Sequence, residues 1–250
     1  MKGRPDMQEP IVGILGGMGP AATADFYSKL IEETPAATDQ EHLRVVIWAD
    51  PSVPDRSQAI SGQGEDPTPK LAEGARRLKE AGASFYVVAC NGAHAFLPAV
   101  RQQVDLEYVS LIGVAANHIA SLPGATRAGL LATNATMDSQ LYQEALEHVG
   151  VAPVIPTPED QQVVMESIYA VKASRMSDEQ RAALAGVARR LADRGANVIV
   201  AGCTEIPLAL SNEESPRPLI DPARLLARSV VDDVAARKAS RVRELADQDY

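Results

Sequence analysis

Short apolar runs of strand length alternate along the chain with longer segments that carry apolar residues at helical spacing. The runs lie at residues 11–15, 45–49, 85–89, 129–132 and 198–201, and the first is followed at once by a helix-like stretch over 21–33. Strands that alternate with helices predict a parallel sheet, because each parallel connection must cross back over the sheet. Over 71–81, Leu71, Ala75 and Leu78 fall on one helix face; Thr68 before Pro69 marks the start and Gly82 the stop. Farther on, Ser177 and Gln180 form a capping box, Leu184, Val187 and Leu191 make the apolar stripe, and Gly195 closes the helix. Past residue 212, Pro216 and Pro218 precede a terminal helix predicted over 222–247.

The pattern repeats. Gly82-Ala83-Ser84-Phe85-Tyr86-Val87-Val88-Ala89-Cys90 runs parallel to Gly195-Ala196-Asn197-Val198-Ile199-Val200-Ala201-Gly202-Cys203, with the cysteine eight residues after the glycine in both copies. Upstream, Gly13-Ile14-Leu15-Gly16 corresponds to Gly129-Leu130-Leu131-Ala132. In each copy a helix ends at the glycine, a buried strand follows, and the cysteine closes the strand. The chain is therefore expected to hold two related α/β halves. A change of half near 112–125 gives a first domain over 1–115 and a second over 116–211, with the tail 212–250 packing back on the first. Ligands in open α/β sheets bind outside the carboxyl ends of the strands, so halves that face each other would put Cys90 and Cys203 on opposite walls of one cleft.

Composition limits the choices. The chain has 250 residues, 46% hydrophobic and 23% charged, which is enough apolar material for a real core and fits one large domain or two small ones. A net charge of -9 makes it a poor partner for nucleic-acid backbones or anionic membranes. No apolar stretch approaches membrane-span length, and residues 1–10 carry Lys2, Arg4, Asp6 and Glu9 where a signal peptide would be apolar. A cytoplasmic location is expected. Two cysteines are too few for a disulfide scaffold and are read as free thiols.

Two thiols on opposite walls of a cleft suit one task in particular: one takes a proton from carbon while the other delivers a proton to the opposite face. A free thiol titrates near pH 8.5, and a helix N-terminus lowers that value, so one cysteine can wait as thiolate base and the other as thiol acid. Asn91-Gly92-Ala93 and Thr204-Glu205-Ile206 read as helix starts whose free N–H groups suit a substrate carboxylate. A lone cysteine is more often a small buried hydrophobe. The matched repeat positions favour chemistry here.

At this point the chain resembles the cofactor-independent aspartate/glutamate racemases, and especially their aspartate racemase branch. The resemblance runs from residue 11 to about 227, through Gly13-Ile14-Leu15-Gly16-Gly17-Met18-Gly19-Pro20-Ala21-Ala22-Thr23, Asp39-Gln40-Glu41-His42, Pro54-Asp55-Arg56, Cys90-Asn91-Gly92-Ala93-His94, Gly129-Leu130-Leu131-Ala132-Thr133, Gly202-Cys203-Thr204-Glu205 and Leu219-Ile220-Asp221-Pro222. It implies two pseudo-symmetric, Rossmann-like parallel-sheet α/β domains facing each other across an active-site cleft. It also implies catalytic roles for Cys90 and Cys203, a two-base mechanism without pyridoxal phosphate, metal or any other cofactor, and a homodimer. Arg56 and Lys172 are similar in placement to the family's cations for the substrate's side-chain carboxylate. Asn91, Thr133 and Thr136 resemble the residues that hold the α-carboxylate and amino group, and Met18 is expected as a pocket wall. Thr204 joins the substrate-binding set, and His94 and Glu205 either tune the cysteines or are structural.

One departure concerns the substrate. The family usually has Thr after the first Cys-Asn, and here Gly92 stands in that place. A lost hydrogen bond to a charged group is worth about 1.5 to 3 kcal/mol, so either a backbone N–H or water replaces it, or the pocket suits a different or larger amino acid. Three rivals remain. Gly17-Met18-Gly19-Pro20-Ala21-Ala22 fits G-x-G-x-x-A after a strand, yet Asp50 comes about 30 residues after Gly19 rather than about 20, and Pro20 removes an N–H. The glycines are expected instead to let backbone approach the substrate. Cys90, His94 and Cys203 could form a Cys₂His zinc site, although no Cys-x-x-Cys pair is present. A non-catalytic amino-acid-binding protein would have no use for two opposed thiols.

Overall fold

The computed structural model describes residues 9–246; segments 1–8 and 247–250 lie outside the described residues, and with them most of the charged N-terminal segment and the last residue of the predicted terminal helix. The first half of the chain runs β1 (Ile11–Gly16), α1 (Pro20–Glu33), β2 (Arg44–Ala49), α2 (Arg56–Ile60), α3 (Thr68–Glu80), β3 (Phe85–Val88), α4 (Leu97–Gln103), β4 (Tyr108–Val109) and α5 (Leu111–Ser121). The second runs β5 (Arg127–Leu131), α6 (Asn134–Asp138), α7 (Leu141–His148), β6 (Ala152–Val154), α8 (Pro158–Lys172), α9 (Asp178–Asp193), β7 (Val198–Ala201), α10 (Ile206–Ala209), β8 (Leu219–Ile220) and α11 (Pro222–Ala246).

Two four-stranded, all-parallel sheets result, in the orders β2-β1-β3-β4 and β6-β5-β7-β8. Their central pairs are in matching register: Val12 lies beside Phe85 in one sheet, Ala128 beside Val198 in the other. The internal repeat extends to packing. A Cβ at Gly13 would sit 3.2 Å from the Ala83 Cβ and from a Leu78 methyl, and one at Gly129 would sit 3.2 Å from the Ala196 Cβ and 3.1 Å from the Leu191 Cβ. In both halves the glycine lets the helix before β3 or β7 lie close on the sheet. The capping box at Ser177 and Gln180 is present at the head of α9.

Three apolar clusters form the core. One lies outside the first sheet, with Leu71, Leu78 and Leu97; another lies outside the second, with Val164, Leu184 and Leu191. The third is shared by both halves, joining Ile14 and Phe26, Leu111 and Ile119, Leu130 and Tyr142, and Leu226 and Val230. α11 thus closes the chain against α1 and α5. Arg224 pairs with Glu33 at 2.8 Å, Arg228 with the same carboxylate at 2.8 Å, and the buried Lys29 with Asp221 at 2.9 Å. Burial pulls the Lys29 ammonium down, but Asp221 and Asp25 outweigh it and hold it above its ordinary value. Among the described residues no helix is long and apolar enough to cross a membrane.

Candidate active site

Both cysteines stand just past the carboxyl end of a central strand, Cys90 after β3 and Cys203 after β7. They are free and buried, with 8% and 7% of their surfaces exposed. The structure brings Met18, Arg56, Cys90, Asn91 and Gly92 from the first half together with Thr133, Thr136, Lys172, Cys203, Thr204 and Glu205 from the second, around one cavity of about 40 Å³. At roughly 10–15 Å³ per water that is room for a few waters, the footprint of a small polar molecule and not of a nucleotide. Larger cavities of about 330 and 680 Å³ lie at the α1–β2 edge and beside the end of α8; neither contains a cysteine.

The environments of the two thiols differ. The Cys203 Sγ donates to Glu205 Oε2 at 2.9 Å, and the Thr204 hydroxyl donates to the same oxygen at 3.1 Å. Burial pushes the Cys203 thiol well above its ordinary value, the Glu205 carboxylate pushes it further, and Lys172 opposes both. Cys203 is therefore a thiol at neutral pH. Cys90 has no carboxylate hydrogen-bonded to it; its carbonyl oxygen lies 2.9 Å from His94 Nδ1. The Leu111 N–H donates to His94 Nε2 at 3.1 Å, so Nδ1 carries the proton and donates to Cys90. Burial lowers His94 to about 4 and keeps the ring neutral. His94 ties the Cys90 backbone to the start of α5 and does not line the cavity. With both nitrogens taken by backbone groups it is no zinc ligand, and the described residues hold no group of three or more metal-binding side chains.

Two side chains that line the cavity each carry a buried donor without an acceptor. Asn91 Oδ1 accepts from the Tyr142 hydroxyl at 2.6 Å, while Asn91 Nδ2 is buried with no partner. The Arg56 guanidinium donates to the carbonyls of Val53 at 3.1 Å and Pro54 at 2.8 Å, while its Nε is also buried without a partner. Buried N–H groups are rarely left unpaired, so these two mark a place for an acceptor such as a carboxylate. The Thr133 hydroxyl caps α6 by accepting from the Thr136 N–H at 3.2 Å, and lies 3.0 Å from the Thr136 hydroxyl. Lys172, the last residue of α8, stands between this cavity and the larger one outside it.

Two expectations need correction. The segments after the cysteines are not full helix starts: Gly92–Ala95 is one 3₁₀ turn and α10 has four residues, too short for a strong dipole. The first glycine of the 17–19 turn does not open backbone to a ligand. Gly17 has φ +94°, and a Cβ there would meet the Asp50 backbone at 2.4 Å, so this glycine packs the turn on the end of β2. The Thr23 hydroxyl accepts from the Gly17 N–H at 2.9 Å and donates to the Gly19 carbonyl at 2.9 Å, occupying the amide that a phosphate would need. Sequence reasoning missed Tyr142. It lies 51 residues from Asn91 in no motif, and its only signal was a tyrosine on an otherwise apolar helix face.

Comparison with known proteins defines the class. A family model described as Asp/Glu/Hydantoin racemase matches residues 15–230, and the chain belongs to that family. It is 32% identical to an aspartate racemase of Picrophilus torridus, with a TM-score of 0.80 over 90% of this chain and 94% of that one. It is 27% identical to the broad specificity amino-acid racemase RacX of Bacillus subtilis over 90% of this chain and 99% of that protein. A glutamate racemase of Francisella tularensis, solved with D-glutamate, shares the fold at 15% identity, with a TM-score of 0.69 over 92% of this chain and 82% of that one.

Proposed function

We propose that this protein is an amino-acid racemase that interconverts L- and D-aspartate, or a range that includes glutamate, with its two cysteines as the acid and base. The observation that carries the reading is the pair of buried free thiols contributed by opposite halves to one narrow cavity. In the proposed step, a thiolate removes the α-proton: the Cα–H bond breaks, its electron pair stays on the substrate, and an S–H bond forms. The opposite thiol then releases its proton to the other face of the same carbon. Nothing is oxidised or reduced, and the charge moves from one sulfur to the other.

The unequal environments set the starting state. Burial, the hydrogen bond to Glu205 and the negative charge of that carboxylate keep the proton on Cys203. Cys203 is then the acid in the direction of reaction for which Cys90 is the base. The unpartnered N–H groups of Asn91 and Arg56 are donors for a substrate carboxylate. Arg56 and Lys172 put two cations beside the cavity of an otherwise acidic protein, which suits a dicarboxylic substrate.

Gly92 favours a second reading on specificity. A Cβ there would lie 3.6 Å from the Arg56 Cβ and 3.9 Å from the Thr136 hydroxyl, both ordinary contacts, so packing does not demand glycine. The missing side chain leaves room beside Arg56, which supports a range broader than aspartate, as in the Bacillus subtilis relative. The test is chiral chromatography after incubation with each enantiomer of aspartate, glutamate and several neutral amino acids, with no pyridoxal phosphate added. Approach to equal enantiomers from both sides is expected for an acidic amino acid. Activity only on added pyridoxal phosphate, or racemisation of no amino acid, would overturn the reading.

A further inference from the structure

Tyr142 does not itself line the cavity, yet it contacts both of its walls. It is completely buried on α7 in the second half, and its hydroxyl crosses to the first half to bond Asn91 Oδ1, the side chain next to Cys90. Its ring lies against Gly202, the residue before Cys203: a Cβ at Gly202 would sit 3.2 Å from Tyr142 Cε2. The bond fixes which end of the Asn91 amide faces away from Tyr142. Nδ2, buried and unpartnered, is the end of the amide left free on a residue that lines the cavity.

We propose that Tyr142 is a positioning residue that aims the Asn91 amide N–H at the substrate and sets the Cys90 wall in register with the Cys203 wall. The inference rests on one part of the racemase reading, that the cavity takes an amino acid whose carboxylate accepts from Asn91 Nδ2. Without the hydroxyl, the amide can rotate and present its oxygen, an acceptor, where the substrate needs a donor. The effect belongs to binding: a carboxylate is held alike in ground and transition states, so KM rises while kcat changes less.

The test is a double-mutant cycle of Tyr142→Phe, Asn91→Ala and the pair, read by calorimetric binding of aspartate and glutamate and by KM and kcat for racemisation. Tyr142→Phe is expected to weaken binding and raise KM roughly 10-fold, the scale of a hydrogen bond to a charged group. Because Tyr142 acts through Asn91, the double variant is expected to match Asn91→Ala alone. A merely structural tyrosine would lower the melting temperature and leave KM in place, and that result overturns the proposal. So do losses that multiply in the double variant. Wild-type protein that binds an amino acid without racemising it would sink the racemase reading and not this one, since the cycle is then read on binding. Absence of any amino-acid binding would sink both.

Discussion

Glu205 helps burial to hold the proton on Cys203. Its carboxylate adds to the effect of burial on Cys203, so Glu205→Gln is expected to leave the thiol raised, but less so. Thiolate at Cys203 then forms at lower pH. In the direction of reaction that needs Cys203 as base, the rising limb of the kcat/KM profile is expected to move to lower pH, and an unmoved limb would remove Glu205 from the account. At Gly92 the neighbours of an added Cβ predict the effect of a side chain. Gly92→Thr is expected to change stability by less than about 1 kcal/mol, because its Cβ meets only ordinary contacts. It is also expected to lower kcat/KM for glutamate relative to aspartate by roughly 10-fold or more, the usual worth of one methylene in a filled pocket. An unchanged ratio would show that the space beside Arg56 is not where the substrate side chain goes. At this scale the cysteines were legible because a repeat placed both at equivalent strand ends. Tyr142 was not, since its partner is distant in sequence and hydrogen bonding across halves leaves no local pattern.

The elements that carry the site are short turns held by neighbours. The 3₁₀ turn after Cys90 depends on His94, whose ring bonds the Cys90 carbonyl at one nitrogen and the first N–H of α5 at the other. Burial keeps this ring neutral to about pH 4, whereas the unfolded chain takes up the proton near 6.5. The lowered value therefore contributes stability that is present above about pH 6.5 and is lost as the pH falls towards about 4. Urea unfolding at about pH 7.5 and about pH 5 is expected to show roughly 2 kcal/mol of pH-dependent loss that His94→Asn removes, and an equal pH dependence in the variant would contradict this. The major strands and α3, α8, α9 and α11 lie close to their predicted places or, for α8, between predicted segments. The edge strands β4, β6 and β8 have only two or three residues, too few for any period to show, and β6 includes Pro153. The turns after the cysteines read as helix starts because each follows a strand end, yet they are a 3₁₀ turn and a helix of four residues.

The whole molecule is held together by a core common to both halves, which is why the cavity between them can be so narrow. α11 seals that core, and Lys29 anchors its start through Asp221 while also bonding Asp25. Lys29→Met is expected to cost about 3 kcal/mol or more in chemical unfolding, because it leaves two carboxylates near a buried site without their cation. A loss under about 1 kcal/mol would mean the pair is solvated and unimportant. The fold class followed from the alternation of elements and the repeat, since both are written into every segment of the chain. Substrate choice is not written that way, because it depends on the space left between side chains from both halves. The central claim, acid and base on opposite sides of one carbon, is tested most directly by proton NMR of L- and D-aspartate and of L- and D-glutamate in D₂O. The samples are wild-type protein, Cys90→Ala and Cys203→Ala, with no cofactor added. The account predicts loss of the α-proton signal with formation of the opposite enantiomer for wild type, and no racemisation by either variant; racemisation at the wild-type rate by either cysteine variant would contradict it.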